Sequence, residues 1–384
     1  MTDADFTRAL ELFWHPVCTL DELYDAAPHP LAVTLLGRRL AVADLHGTSA
    51  GGASVAGGAD AAGGGDAAGG GDAASRGIAA VADRCLHRST RLSIGWIEQQ
   101  TIRCAYHGWR WDAGGRCAEI PSLPHGPIPP RACIDAYQTE VAYGLVWIRL
   151  DSRAGDAAGT RLPHHPAWED PRMKVVAGRP YTWPVGAARR VENFVDLAHF
   201  AWVHDGTLGR RDQPVPPLAD VSRDEGELRF EYDPPDMEPD ARALYGWSRY
   251  RMPMPLTVDI EFRLATGARR HLWMTASPLD LATCRSFWSV SRDDDLDGDD
   301  ASYLAFQDLI LAEDEPVVCA QDPPELALDA STEISVRTDR VSIEYRRWLR
   351  ELAAAAAQGP PAVRAALRPE IAGAALSRST GQTM

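Results

Sequence analysis

Four residues between positions 85 and 107 have the types and spacing for metal chemistry. They lie in the stretch DRCLHRSTRLSIGWIEQQTIRCAYHGWRWD, residues 83–112. Cys85 and His87 form C-x-H; sixteen residues later, Cys104 and His107 form C-x-x-H. Structural zinc sites usually pair like with like, as C-x(2–4)-C followed by H-x(3–5)-H. Here each half-site is mixed. Two short loops that each bring one thiolate and one imidazole can place both thiolates on one iron of a [2Fe–2S] centre and both imidazoles on the other. The pattern favours that two-iron cluster over zinc.

A second constellation lies in NFVDLAHFAWVH, residues 193–204, which carries Asp196, His199 and His204. Asp196 and His199, three apart, share a helix face. His199 and His204, five apart, stand about 140° from each other on a regular helix. They can hold one metal only if the helix widens, as in a π-type turn, or ends between them. The zincin spacing of four residues is not met. Two imidazoles with a carboxylate from elsewhere would make a facial triad, which leaves positions on non-haem Fe(II) open for O2. The bland alternative is a surface helix with scattered polar groups.

Both stretches resemble one family. The C-x-H/C-x-x-H spacing, Arg88 and the YHGW of residues 106–109 are similar to Rieske proteins, and ENFVDLAHFAWVH resembles the mononuclear-iron motif of the Rieske non-haem iron oxygenases. The resemblance implies that Cys85, His87, Cys104 and His107 bind a Rieske [2Fe–2S] cluster. It also implies that His199 and His204 bind a mononuclear Fe(II), and that Asn193 and Asp196 serve catalysis. In that family the third iron ligand is an Asp within a stretch similar to EDEPVVCAQ, which gives Asp314, with Asp308, Glu313 and Glu315 close by. Leu86 and Ala105 stand where the family usually has Pro, and Cys319 where it has Glu. WHPVCTLDEL and DRVSIEYRRWLREL look most like the vanillate O-demethylase-like oxygenases. The implied protein is the catalytic, alpha-type component of a monooxygenase or demethylase acting on a small aromatic compound. It would form a homotrimer fed by a separate NAD(P)H-dependent flavin/[2Fe–2S] reductase, with Asp196 bridging His199 to His107 of a neighbouring chain. The rival reading is a Rieske electron carrier with a non-catalytic ligand-binding domain; Asp314 and DLAHFAWVH count against it.

The elements that must position these residues are legible as two β-rich halves. Residues 13–45 read as short β segments, with a turn at Gly37-Arg38; the pattern resumes at GIAAVADRC and, after a Pro-rich loop, ends near Leu150. Between the segments lies a Gly/Ala-rich insertion, residues 47–76, without bulky residues to offset its ordering entropy. It reads as a disordered loop within a β-hairpin, neither a dinucleotide loop nor a calcium β-roll. Residues 151–167 form a Gly/Pro linker. Beyond it come strand-like YTWPVG, helix-like ARRVENFVDLAHFAWVH, four alternating segments of an antiparallel sheet, and two amphipathic helices. The expected architecture is α+β: an all-β Rieske domain over 10–152, a helix-grip (START-like) catalytic domain with an antiparallel sheet over 165–356, and a flexible tail over 357–384.

Composition narrows the partners. The 384 residues leave room for two domains, each with its own core. Thirty-nine basic against 54 acidic residues give a net charge of −15, which argues against nucleic acid or an anionic membrane as partner. No run of about 18 apolar residues suggests a membrane span, and MTDADFTRALELFWHP lacks the parts of a signal peptide. The seven cysteines follow no disulfide framework, so a reducing cytoplasm is expected.

Overall fold

Residues 2–46, 71–72, 77–151, 157–233, 247–329 and 331–368 are described by a computed structural model of the chain. Helix α1 (Asp3–Glu11) is followed by β1 (His15–Thr19), α2 (Leu20–Asp25), β2 (Leu31–Leu35), β3 (Arg38–Asp44), β4 (Gly71–Asp72) and β5 (Ile78–Ala82). Four short strands come next, β6 (Trp96–Glu98), β7 (Thr101–Arg103), β8 (Arg110–Trp111) and β9 (Cys117–Glu119), before β10 (Ala136–Ala142) and β11 (Leu145–Arg149). One antiparallel sheet runs β1-β11-β10-β5-β3-β2, with β4 on β10, and a second runs β6-β7-β8-β9. Apart from Gly71–Asp72, the insertion expected to be disordered lies outside the described residues.

Two local expectations need correction. The segment 13–45 is not wholly β, because α2 interrupts it. Thr19 accepts from the Glu22 N–H at 3.1 Å and Glu22 accepts from the Thr19 N–H at 3.0 Å, a capping box that the sequence T-L-D-E already spells. The β2–β3 turn sits at Leu36-Gly37, with φ of 49° and 75°. Two positive φ values make the tight hairpin that matches strand twist, and glycine makes the second inexpensive.

The second half supplies α3 (Pro166–Glu169), β12 (Lys174–Ala177), β13 (Tyr181–Trp183), α4 (Ala187–Val195) and α5 (Phe200–Val203). Strands β14 (Ser222–Asp224), β15 (Glu227–Tyr232), β16 (Ser248–Pro253), β17 (Thr257–Arg263), β18 (Arg269–Pro278) and β19 (Cys284–Arg292) follow. They form an antiparallel sheet ordered β12-β19-β18-β17-β16-β15-β14, with β13 also on β19. Helices α6 (Asp300–Val318), α7 (Arg340–Gln358) and α8 (Pro360–Ala366) complete the chain. Helix α4 lies on β17, β18 and β19 and packs against α7, the expected helix-grip arrangement. The tail expected to be flexible is helical to Ala366: Val363 is fully buried and Trp348 Nε1 donates to Ala366 O at 2.8 Å. Residues from 369 lie outside the described residues. No helix among the described residues is long and apolar enough to cross a membrane.

The two halves do not keep separate cores. Leu40, Val42, Ile78 and Ala80 join a single apolar core with Met274, Val258 and Trp348, while Ala41, Ala43, Ala79 and Val81 on the other face pack against Cys85, Cys104 and Trp111. Strands β3 and β5 are therefore buried on both faces, which is why they read as continuous apolar runs. One face of this sheet fastens the halves together, and the other carries the cysteine loops. The hairpin turn is tied down as well, since the Leu36 and Gly37 N–H groups donate to Pro278 O and Leu279 O at 2.9 and 2.6 Å.

Candidate functional site: a cluster cradle and a convergent metal triad

The two cysteine loops share one backbone pattern. Cys85 N–H donates to Thr90 O at 2.8 Å and Cys85 O accepts from Ser89 at 2.9 Å; Cys104 N–H donates to Trp109 O at 2.9 Å and Cys104 O accepts from Gly108 at 3.0 Å. Ser89 and Gly108 close the two turns with φ of 59° and 71°. Supporting bonds fix the loops: Asp83 accepts from Ser93 N–H and Oγ at 2.7 and 2.8 Å, and Arg103 donates to Gly108 O at 2.8 Å. Cys85 and Cys104 are 1% and 2% exposed, while His107 is exposed and its ring centroid lies 4.4 Å from that of His87. His87 stacks on Trp109 at 4.8 Å, and its Nδ1 is buried without a hydrogen-bond partner among the described residues.

These features fit a bound cluster. Burial pushes the Cys85 thiol up to about 11, with the Cys104 thiol beside it adding to the shift. Two adjacent buried thiols ionise readily only when a cation compensates them. A single zinc ion would gather all four donors around one point. Among the described residues, the only such convergent group is elsewhere: His199, His204 and Asp314, whose ligand atoms all lie within 4.8 Å of one another.

The geometry at that triad follows from a broken helix. The sequence predicts one helix through ARRVENFVDLAHFAWVH, but α4 ends at Val195, and Asp196 is extended at φ −82° and ψ 107°. The one-turn α5 then has His199 at its N-cap and His204 at its C-cap. The break removes the 140° separation that a continuous helix would impose. His199 Nε2 and His204 Nε2 come within 3.2 Å, and Asp314 Oδ1 lies 3.5 and 3.3 Å from them. Asp308 and Glu315 are exposed on α6, and Glu313 turns to the outer edge of His204.

The triad is held from behind. Asn193 Nδ2 donates to Asp314 Oδ1 at 3.2 Å, and the fully buried Arg190 stands 3.6 Å from Asp314 Oδ2. Arg190 also bonds Asn193 Oδ1 and lies over Trp183 and Phe194 at 4.6 and 4.2 Å. Burial alone would raise the Asp314 carboxyl, but bonds to His199 and His204 and the Arg190 charge hold it well below the carboxylate range. For His204, burial pushes down, but hydrogen bonds to Asp314 and Glu313 outweigh it and the net shift is upward. Three electron-pair donors aimed at one point suit a small divalent cation. Asp196 is 40% exposed and 3.8 Å from His199 Nδ1, beyond hydrogen-bond range, while accepting from the Ala198 N–H at 2.9 Å.

A cavity of about 400 Å³ opens on the triad. Phe194, Phe200, Ile260, Phe262, Leu272 and Ile310 make its walls apolar, and Asn193, Gln307 and Tyr232 contribute polar groups. His271 on β18 also lines it, whereas Trp273, Met274, Trp288 and Trp247 pack elsewhere.

Residues 13–137 match the Rieske [2Fe-2S] domain, and residues 183–355 match the vanillate O-demethylase oxygenase C-terminal domain. The chain is 39% identical to methylxanthine N1-demethylase NdmA of Pseudomonas putida, over 94% of this chain and 95% of that protein. This chain belongs to the Rieske non-haem iron oxygenases. Methylxanthine N3-demethylase NdmB of Pseudomonas putida is 38% identical, over 92% and 93% of the two chains. The solved structure of Pseudomonas putida CBB5 NdmA with caffeine superposes with a TM-score of 0.80 at 38% identity, covering 95% of this chain and 97% of that one. Dicamba monooxygenase, at 19% identity and a TM-score of 0.67, shares the fold. As a Rieske oxygenase the protein carries a [2Fe–2S] cluster and a mononuclear iron. It is a terminal oxygenase of the monooxygenase/demethylase type, using O2 and electrons from a separate reductase. Sequence reasoning missed Arg190 and the contact made by Glu313, because both depend on how α4, α5 and α6 approach one another.

Proposed function

We propose that this oxygenase demethylates a small, uncharged, N-methylated aromatic heterocycle. The observation that carries the reading is the charge balance of the cavity. Arg270, a cation in its lining, pairs with Asp294 at 3.3 Å and lies 5.1 Å from the Tyr303 ring. His271 is hydrogen-bonded to Asp259 at 3.0 Å. Among the described residues no unpaired cation faces the cavity, so an aromatic carboxylate or sulfonate would lose its hydration there without a counter-charge. A neutral ring with polar edges suffers no such penalty. Gln307 is 7% exposed and its side chain makes no hydrogen bond among the described residues, so its amide can offer one donor edge and one acceptor to a lactam or imide. It precedes Asp314 by seven residues on α6, two turns and about 10 Å along the same face. A bicyclic heterocycle held at Gln307 would reach the triad with an N-methyl group. The likeness to two methylxanthine demethylases supports the same class.

In this reading Cys85 and Cys104 hold one iron of the cluster, His87 and His107 the other, and His199, His204 and Asp314 hold the mononuclear iron. That iron, once bound, supplies activation of O2. The chain's own residues do the rest. Asn193 and Arg190 keep Asp314 ionised and aimed, Phe194, Phe200 and Phe262 exclude water, and Gln307 orients the ring. Asp196, half-exposed at the outer side of His199, is placed to share its carboxylate with the cluster histidine of a neighbouring subunit, and we infer a homotrimer. The test is turnover by the holoprotein with a surrogate NAD(P)H-dependent reductase. N-methylated xanthines and pyrimidinediones should each release formaldehyde equal to the methyl groups lost. Turnover of methoxybenzoates alone would overturn the substrate class.

A further inference from the structure

We propose that Glu313 is a positioning residue that fixes the tautomer and aim of His204, an inference that rests on His204 being an iron ligand. His204 is 1% exposed, and its Nδ1 lies 2.7 Å from Glu313 Oε2. Thr207 Oγ1 donates to the same carboxylate oxygen at 2.9 Å. An ionised carboxylate can only accept, so the proton of the neutral imidazole sits on Nδ1. With that proton on Nδ1, Nε2, which faces His199 and Asp314, is left to give its lone pair to a metal in place of a proton to Asp314. Among the described residues His199 has no equivalent support, since its Nδ1 is buried without a partner there.

The backbone is built to hold this contact. Glu313 and Asp314 are neighbours on α6, about 100° apart around the axis. One helix thus presents Asp314 to the cavity and Glu313 to the outer edge of the same imidazole. After α5 the chain wraps His204: the N–H groups of Thr207, Leu208 and Gly209 donate to His204 O at 3.0, 3.0 and 3.1 Å. A Cβ at position 209 would meet the Phe200 carbonyl at 2.4 Å, so only glycine lets this turn close. Thr207 Oγ1 also stands 2.9 Å from His204 O, so its single proton lies between that carbonyl and the carboxylate and ties the wrapped turn to Glu313. Without Glu313 the imidazole can place its proton on Nε2 and rotate, and each metal-binding event must then displace that proton.

The experiment measures Fe(II) affinity by anaerobic equilibrium dialysis, using holoprotein stripped of mononuclear iron by mild chelation with its Rieske cluster intact. Removing such an outer partner of a metal-binding histidine typically weakens metal affinity about 10–100-fold, the loss expected for Glu313→Ala. Glu313→Gln still offers an oxygen to Nδ1–H and should bind Fe(II) within about fivefold of the parent protein. Both variants should keep the visible spectrum of the cluster. Parent-like affinity in Glu313→Ala overturns the proposal, and so does a Gln variant as weak as the Ala variant. His204→Ala is the control: if it too binds Fe(II) like the parent, the ligand set itself is wrong, a result distinct from Glu313→Ala alone being silent.

Discussion

Asp314 is engaged on both oxygens by its own chain, Oδ1 by Asn193 and Oδ2 by Arg190, so its aim precedes metal binding. Asp314→Ala should lower iron from about three to about two per chain while leaving the Rieske absorption intact, because the cluster loops lie on a different sheet. Iron analysis with the visible spectrum checks this, and an unchanged iron content would return the assignment to another carboxylate. The same substitution strands the Arg190 guanidinium, which is fully buried, and removing one partner of a buried ion pair commonly costs about 3–5 kcal/mol, so a lower melting temperature should accompany the iron loss. At this scale the sequence marks candidate ligands and is silent about their supports. Cys85, His87, Cys104 and His107 stand out because mixed C-x-H spacing has few other uses. Arg190 and Glu313 sit among many arginines and acids, and nothing local marks them until α4 and α6 bring them to the triad.

Among elements, the cluster loops depend on one close approach more than on any strand. A Cβ on Gly95 would stand 2.0 Å from Arg103 O and 3.0 Å from Leu92 O, both backbone atoms that cannot swing aside. Gly95→Ala must therefore separate the loop of Cys85 from the strand that leads to Cys104. Overpacking of this kind typically costs 1–3 kcal/mol and sometimes more. The expected result is partial or complete loss of Rieske absorption with the mononuclear site still competent to bind Fe(II); a parent-like spectrum would show that the loops do not need this approach. A strand with alternating burial, such as β15, is legible because one face meets the core and the other does not, whereas β17 to β19 are buried almost continuously. α2 hides among β segments although its capping box is written in the sequence. The broken α4–α5 helix hides too, since no Pro or Gly marks the break at Asp196 and only the metal-site spacing requires it.

The molecule as a whole depends on a joint between its halves that composition does not reveal. Trp147 on β11 and Trp273 on β18 meet edge to face at 6.3 Å, and His165 stacks on Trp273 at 4.7 Å. His165 accepts from the Trp168 N–H at Nδ1 (3.3 Å) and meets Ser289 Oγ at Nε2 (2.9 Å), which defines a neutral imidazole donating to Ser289. Burial drives its pKa down to about 3, and burial likewise takes His15, bonded through Nε2 to Leu10 O at 2.8 Å, down to about 4. An unfolded histidine titrates near 6.5. Between that pH and the depressed folded values, the unfolded chain takes up protons that the folded chain does not. Stability is therefore fully present above about pH 6.5 and falls as the pH drops through this window. At about 1.4 kcal/mol per unit, each histidine should cost on the order of 2 kcal/mol between pH 7 and pH 5. Urea unfolding followed by tryptophan fluorescence should show a lower midpoint at pH 5. In His165→Gln, whose amide can accept from Trp168 and donate to Ser289 without titrating, the fall should be about half as large. A His165→Gln profile as steep as the parent's would take His165 out of the acid response and leave the joint between the halves insensitive to pH.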